Sequence, residues 1–367
     1  MILRSISLHN FKNIPRASLQ FSPKINCLLG NNGMGKSNLL DAIYYLSFCK
    51  SFTGVTDPML ITRDEDFGMI QADYLRKGAD ESLSVGLQRG RRKSFKRSGK
   101  EYRRLSEHIG VFPAVLVSPA DMDLINGTGE ERRRFMDIVI SQTDPRYLDT
   151  LIRYTHALEQ RNRMLRDGLT DPTLFEAVEA AMEATAAYIC ATRRHKVVEL
   201  SEIFDRYYRD IAACGEQATL TYTSHLADPE ARLTDILDQR RARDTALGYT
   251  SAGPHRDDID MQLCGMPVRR TASQGQAKTY SIALRLAQYD FLARSTGMKP
   301  LLLLDDIFDK LDADRVARIM EIAARDNFGQ IFITDTNRKH LDEILTHAGG
   351  DYAMWSVDTG VFTQIMS

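Results

Sequence analysis

Two stretches of this chain carry the residue types that handle phosphate, and they lie far apart. The first, Gly30-Asn31-Asn32-Gly33-Met34-Gly35-Lys36-Ser37, fits the spacing GxxxxGK[ST] and is followed by Asn38. In that spacing glycines let backbone N–H groups converge on a phosphate, Lys36 reaches the β- and γ-phosphates, and the Ser37 hydroxyl can ligate Mg2+. The second is Ser273-Gln274-Gly275-Gln276, upstream of Leu301-Leu302-Leu303-Leu304-Asp305-Asp306. In paired acids of this kind Asp305 would hold Mg2+ through its water shell, and Asp306 would orient or deprotonate an attacking water. The chemistry predicted is binding and hydrolysis of ATP, with Lys36 and Asp306 as the catalytic pair.

Such residues need a scaffold, and the flanks predict one. The apolar run Ile25 to Leu29 reads as a buried strand and Leu39 to Leu46 as a helix, which places the glycine loop at a helix N-terminus. The four leucines after Pro300 read as a parallel strand whose acids emerge at its C-terminal end, where open α/β sheets bind ligands. Standing alone, two such acids would be read as a helix cap. Ser273 to Gln276 precede a helix-forming segment, Ala277 to Leu292, with apolar positions at Ile282, Leu284, Leu286 and Phe291. A helix N-terminus with free N–H groups can grip a γ-phosphate, though on capping alone Ser273 is equally an ordinary N-cap.

Composition fits a large soluble enzyme. With 367 residues, 43% of them hydrophobic, the chain can bury a sizeable core in two structural units. No stretch approaches a membrane span, and Met1-Ile2-Leu3-Arg4-Ser5 lacks the apolar region of a signal peptide, so the expected location is the cytoplasm with no membrane partner. Cys27, Cys49, Cys190, Cys214 and Cys264 are scattered without a CxxC pair, which predicts reduced thiols rather than a disulfide or metal framework.

A net charge of −1 conceals an uneven distribution: nine of the sixteen residues from Arg89 to Arg104 are Lys or Arg. The flanking segments Leu83 to Leu87 and Ser94 to Lys96 alternate as strands do, so the run reads as a basic hairpin. Arg91, Arg92, Lys93, Lys96 and Arg97 are its candidate contacts to duplex DNA, and a solvated hairpin that binds nothing is the competing reading.

From Glu130 to about Ile211 the chain turns helical. Asp144-Pro145 and Asp171-Pro172 each pair an N-cap with proline at the first helical position. Leu148, Thr155 and Asn162 recur every seven residues, as do Leu151, Leu158 and Leu165. Phe175, Val178, Met182, Ile189, Val197, Leu200, Phe204 and Tyr207 offer an answering stripe on a returning helix. This is a compact arm.

The order of cradle, long insertion, Ser-x-Gly-Gln helix, acidic strand and then Phe308-Asp309-Lys310-Leu311-Asp312 resembles the ABC-type ATPase heads of the SMC, RecN and RecF group. The short arm, the opening Leu8-His9-Asn10-Phe11-Lys12-Asn13, Arg132-Arg133-Arg134-Phe135-Met136-Asp137 and Thr250-Ser251-Ala252-Gly253-Pro254-His255-Arg256-Asp257-Asp258 are similar to the RecF family within that group. Departures are Ala120 where an acid is usual, the turn Gly127-Thr128-Gly129, and Phe308-Asp309-Lys310 ahead of Leu311-Asp312. Asp335-Thr336 stands where transporter heads carry a switch histidine.

The resemblance implies an α/β ABC-type P-loop head, residues 1–118 and 246–367, with a helical arm inserted at 119–245. It implies an ATP-driven homodimer in which Ser273, Gly275 and Gln276 of one copy close on ATP held by the other. Function by resemblance is ATP-dependent binding of duplex or gapped DNA in recombinational repair, with RecR, RecO and RecA as pathway partners and a weak DNA-stimulated ATPase as the switch. A nucleotide-gated protein scaffold and a transporter-type motor are the alternatives. Lys12 and Asn13 read as a surface turn before contacts to nucleotide, and His255 as structural.

Overall fold

Continuous apolar runs make sense only in strands covered on both faces, and the central sheet is built from them. In the computed structural model, which describes residues 1–213, 215–228, 230–308, 311, 313–324, 327–338 and 352–366, the chain divides into two compact units. The first comprises Met1–Asp121, Asp210–Ala213 and Ile282–Ser367, the second Met122–Arg209 and Cys214–Ser281.

Within the first unit, β3 (Ile25–Leu29), β8 (Ala114–Val117), β12 (Leu301–Asp305), β13 (Ile331–Asp335) and β14 (Tyr352–Asp358) run parallel. With β15 (Val361–Met366) antiparallel at one edge, the order is β15-β14-β3-β13-β12-β8. Because β13 separates β3 from β12, its last residues stand between the loop after Leu29 and the acids after Leu304. Helix α1 (Lys36–Phe48) packs on β8, β12 and β13 and is buried almost all round, which explains the absence of a polar stripe in Leu39 to Phe48.

A second, antiparallel sheet contains β1 (Ile2–Phe11), β2 (Ile14–Gln20), β4 (Phe67–Arg76), β5 (Ala79–Gln88), β6 (Ser94–Arg97) and β7 (Lys100–Glu101), in the order β2-β1-β4-β5-β6-β7. Its strands alternate: Gly68, Ile70, Ala72 and Tyr74 are buried while Phe67, Gln71 and Asp73 face out. The basic run does form a hairpin, between β5 and β6.

The second unit holds α2 (Met122–Asn126), α3 (Gly129–Ser141), α4 (Pro145–Arg166), most of α5 (Pro172–Ala212), α6 (Leu233–Leu247), α7 (Val268–Thr271) and the first turns of α8 (Gln274–Thr296). Both predicted helix starts are present, and the Asp144 carboxylate accepts from Tyr147 N–H at 3.0 Å. The unit also contains a three-stranded sheet, β9 (Ala218–Thr223), β10 (Asp258–Leu263) and β11 (Met266–Pro267), so the insertion is not purely helical. Pairing of β10 with β9 draws residues 246–281 into this unit, and the second boundary falls at 281 rather than near 246.

The seam on α4 also differs from the leucine heptads. Tyr147, Thr150, Tyr154, Ala157, Arg161 and Leu165 are the buried positions, while Leu148, Leu151 and Leu158 are half-buried and Thr155 is exposed. Polar pairing sets this rotation. Arg161 is fully buried and donates to Glu179, Asp244 and Thr250, and Arg193 on α5 reaches Asp137, Asp257 and the Tyr147 hydroxyl. A buried guanidinium must be surrounded by acceptors, so the helix turns its donors inward and lets leucines drift to the margin. On α5 the predicted stripe is buried, with Val178 half-buried. Cys214 and residues 309, 310 and 312 lie outside the described residues.

Candidate nucleotide site

The loop between β3 and α1 is shaped by its glycines. A side chain on Gly30 would collide with the Val357 carbonyl, while Gly33 (φ 81°) and Gly35 (φ 113°) occupy the left-handed region that favours glycine. Lys36 follows at the first position of α1, only 5% exposed, with Nζ 2.6 Å from the Gly30 carbonyl and 2.9 Å from that of Asn31. Burial lowers its pKa, and the carboxylates of Asp306, Asp305 and Asp335 oppose that shift. Asn31, Asn32 and Ser37 are exposed, Met34 and Asn38 half-buried.

Ser37 Oγ donates to Asp305 Oδ1 at 2.8 Å, so the two predicted metal ligands meet across 268 positions of sequence. Thr334 Oγ1 donates to the same oxygen at 2.8 Å, from the position paired with Asp305 in the parallel register. Asp305 is 6% exposed; burial pushes its carboxyl pKa up, the bonds from Ser37 and Thr334 pull it down, and the Asp306 charge raises it again. Asp306 takes φ 48° and donates its N–H to Thr334 Oγ1 at 3.0 Å. A non-glycine residue in that conformation costs about 1–2 kcal/mol, held here by the strand on its flank. The donor set, a hydroxyl and a carboxylate beside a phosphate-type loop, suits a hard cation such as Mg2+, which takes one or two protein oxygens and keeps its waters.

Sequence reasoning missed several neighbours. Asn13, read as a surface turn, clamps the loop: Nδ2 donates to the Gly33 carbonyl at 3.2 Å and Oδ1 accepts from Asn38 Nδ2 at 2.7 Å. Lys12 pairs with buried Asp41 of α1 at 2.6 Å, and Gly360 N–H donates to the Met34 carbonyl at 2.8 Å. In the sequence, Thr334 and Asp335 stand out only for the histidine that is missing beside them; the hydroxyl next to the acidic strand is the available signal.

In the second unit, Ser273 caps α8. Its Oγ accepts from Gln276 N–H at 3.2 Å, Gln276 Oε1 accepts from Ser273 N–H at 2.9 Å, and Gln276 Nε2 donates to Glu216 at 2.9 Å. Ser273 itself is exposed, and Gly275 lies in the helix's first turn. The glycine loop with Asp305 and Asp306 belongs to one unit and the Ser273–Gln276 turn to the other. Both ring nitrogens of His255 are engaged within the chain: Nδ1 meets the Tyr154 hydroxyl at 2.8 Å, Nε2 meets the Thr250 carbonyl at 2.9 Å, and burial lowers its pKa to about 4.

The basic hairpin holds fewer free cations than its sequence promised. Lys93 folds back onto Tyr45, the Cys49 carbonyl and Asp57, and Arg97 pairs with Glu81 at 2.5 Å. Arg91, Arg92 and Lys96 point to solvent.

A parallel sheet with a glycine loop opening α1, and an acid from the strand next but one bonded to the loop's serine, define an ABC-type P-loop ATPase head. Residues 2–351 match the model of the RecF/RecN/SMC N-terminal domain, and the chain belongs to that family. A DNA replication and repair protein RecF of Parabacteroides distasonis is 49% identical over 360 residues, covering 98% of each chain. A protein of the same description from Bacteroides fragilis is 49% identical over 367 residues, covering 100% of this chain and 99% of the relative. A solved structure of the recombination mediator protein RecF with ATP, in the RecFOR pathway, superposes with a TM-score of 0.89 at 27% identity, covering 99% of this chain and 97% of that one. The Smc head domain of Pyrococcus furiosus shares the fold, with a TM-score of 0.59 at 17% identity over 100% of this chain and 96% of that one.

Proposed function

We propose that this chain is an ATP-dependent DNA-binding protein of replication and recombinational repair, acting in the pathway its RecF relatives serve. The observation that carries the reading is the bond between Ser37 and Asp305, which joins the phosphate loop to the acidic strand in the arrangement a nucleotide and its cation require. Backbone N–H groups of residues 30–38 and Lys36 would bind the phosphates of ATP. Ser37 and Asp305 would hold Mg2+, which when bound supplies charge neutralisation on the β- and γ-phosphates. Asp306 orients the attacking water. Its carboxylate is one methylene shorter than a glutamate, so hydrolysis is slow and ATP serves chiefly to hold two copies together.

Each copy supplies the Ser273-Gln274-Gly275-Gln276 helix end to ATP on its partner, and closure presents Arg91, Arg92 and Lys96 to duplex DNA beside a single-strand gap. Assistance to RecO and RecR in loading RecA follows from kinship with the RecF family. Sedimentation of the purified protein with ATP, with ADP and with a gapped duplex tests the model: a dimer is expected only with ATP, and Ser273→Arg should remain monomeric. Dimerisation of that variant with ATP would overturn the two-half-site arrangement. A DNA affinity that is flat with salt would instead favour a nucleotide-gated protein scaffold.

A further inference from the structure

The turn between β5 and β6, residues 89–93, divides its cations by position. Those at its two ends are spent within the chain. Arg89 Nε donates to the Glu65 carbonyl at 2.7 Å, and the Arg89 N–H to the Asp66 carbonyl at 3.0 Å. Lys93, its side chain only 14% exposed, brings Nζ to the Cys49 carbonyl at 2.5 Å, the Tyr45 hydroxyl at 2.8 Å and Asp57 at 3.1 Å. Arg91 and Arg92 stand between them, exposed, and among the described residues their side chains make no hydrogen bond or ion pair.

The contacts of Lys93 converge on the end of α1 opposite the glycine loop. Tyr45 lies in the last turn of α1, and Cys49 is its C-cap at φ 56°. The last carbonyls of a helix lack partners within it and carry partial negative charge, so an ammonium group answers both needs there. Asp57 also accepts from the Tyr45 hydroxyl at 2.8 Å, which closes cation, phenol and carboxylate into one cluster. His108 holds a second carbonyl of this end, that of Leu46, through Nε2 at 2.6 Å, but it follows β7 and is not part of the turn.

Helix α1 opens with Lys36 and Ser37 and has 13 residues, ~20 Å at ~1.5 Å per residue. The residues that hold its last turn and those that face phosphate at its first all belong to the first unit. A packed helix is a stiff element, so what is gained or lost at one end is felt at the other.

We propose that Lys93 is the positioning residue that couples duplex DNA to the nucleotide loop. With Arg91 and Arg92 seated on DNA phosphates, the turn is held with Lys93 docked on α1. With the turn free, Lys93 is docked for only part of the time and the last turn of α1 loosens. DNA thereby favours the placement of Lys36 and Ser37 that receives ATP, and ATP favours the docked turn and tightens DNA by the same factor. The inference rests on the ATP and DNA reading above and adds the route between the two sites. That route runs inside one chain, so it is separate from the closure of two copies.

The test measures the Kd of a nonhydrolysable ATP analogue with and without a short duplex, and that of the duplex with and without the analogue. Ser273→Arg serves as the background, at a concentration where sedimentation shows monomers. Each ligand should tighten the other by one shared factor of roughly fivefold or more. Lys93→Met, which keeps the stem and removes the charge, should bring that factor to about one, and Lys93→Arg should recover part of it. His108→Leu is the control for damage to α1: it strands the Leu46 carbonyl from outside the turn and should lower Tm while the factor keeps its background value. An undiminished factor in Lys93→Met, or an equal loss in His108→Leu, would overturn the proposal. Binding of both ligands with no mutual effect would overturn it as well and leave ATP and DNA binding standing, whereas failure to bind duplex would remove the reading beneath it.

Discussion

Asn13→Ala isolates the side chain that holds the phosphate loop from outside it. Two hydrogen bonds are lost, to the Gly33 carbonyl and from Asn38, and both lie near the surface. At a net ~0.5–1 kcal/mol each, the loop loses about 1–2 kcal/mol of bias toward its observed conformation. If that conformation is the one ATP requires, the whole amount appears in binding, and the Kd for a fluorescent ATP analogue rises roughly 5- to 30-fold. The fold does not depend on these bonds, so Tm should move by no more than a few degrees. Asn13→Asp is the sharper control. It retains the acceptor for Asn38, removes the donor to Gly33 and brings a negative charge to an anion site, so its affinity should fall below that of the alanine variant. A Kd within twofold of wild type for both substitutions would refute the claim that Asn13 positions the loop.

Lys36→Ala should abolish ATP binding, whereas Asp306→Asn should keep it and accumulate an ATP-bound dimer, with wild-type turnover below ~1 s⁻¹ when DNA is absent. His108 is fully buried between the Tyr102 hydroxyl and the Leu46 carbonyl, and burial lowers its pKa from 6.5 to about 4. The unfolded chain therefore takes up this proton first as the pH falls. The His108 contribution is intact above pH 6.5 and declines by up to ~3 kcal/mol toward pH 4, and His108→Gln should reduce the slope of that part of the Tm-versus-pH curve while leaving the share of His255, which burial shifts as far. Arg193→Met strands the carboxylates of Asp137 and Asp257 and should cost about 3–5 kcal/mol, a Tm loss of roughly 10 °C that Asp257→Asn partly restores. Reversing Arg91, Arg92 and Lys96 to Glu should weaken duplex binding and reduce its log–log salt slope by about 0.9 for each phosphate no longer neutralised, while Arg97→Glu should act through stability by setting a like charge against Glu81, which keeps Arg76 as its remaining partner.

Motifs with fixed spacing were legible because their chemistry is local. Gly30 to Ser37 must sit between a strand and a helix to work at all, and the strand, loop and α1 fall where the apolar runs put them. The basic hairpin was legible for the same reason, since alternation and a turn are short-range signals. What each of its cations does was not. Lys93 and Arg97 are spent on Tyr45, Asp57 and Glu81, residues contributed by other elements. The α4 seam failed in the same way: heptad leucines are a plausible stripe until the buried Arg161 and Arg193 demand acceptors and rotate the helix. Residues 246–281 carry the family's Gly-Pro-His turn, which by resemblance places them with the head, but β10 pairs with β9 and takes the segment into the other unit.

From the sequence alone came the residue types able to bind a nucleotide, the kind of element carrying each, and the family resemblance, all of which follow from neighbours a few positions apart. Only the tertiary structure decided that Thr334 shares Asp305 with Ser37, that Asn13 grips Gly33, and that β10 pairs with β9 in the second unit. Those facts depend on strand order and register, and register is set by long-range packing that no local spacing encodes.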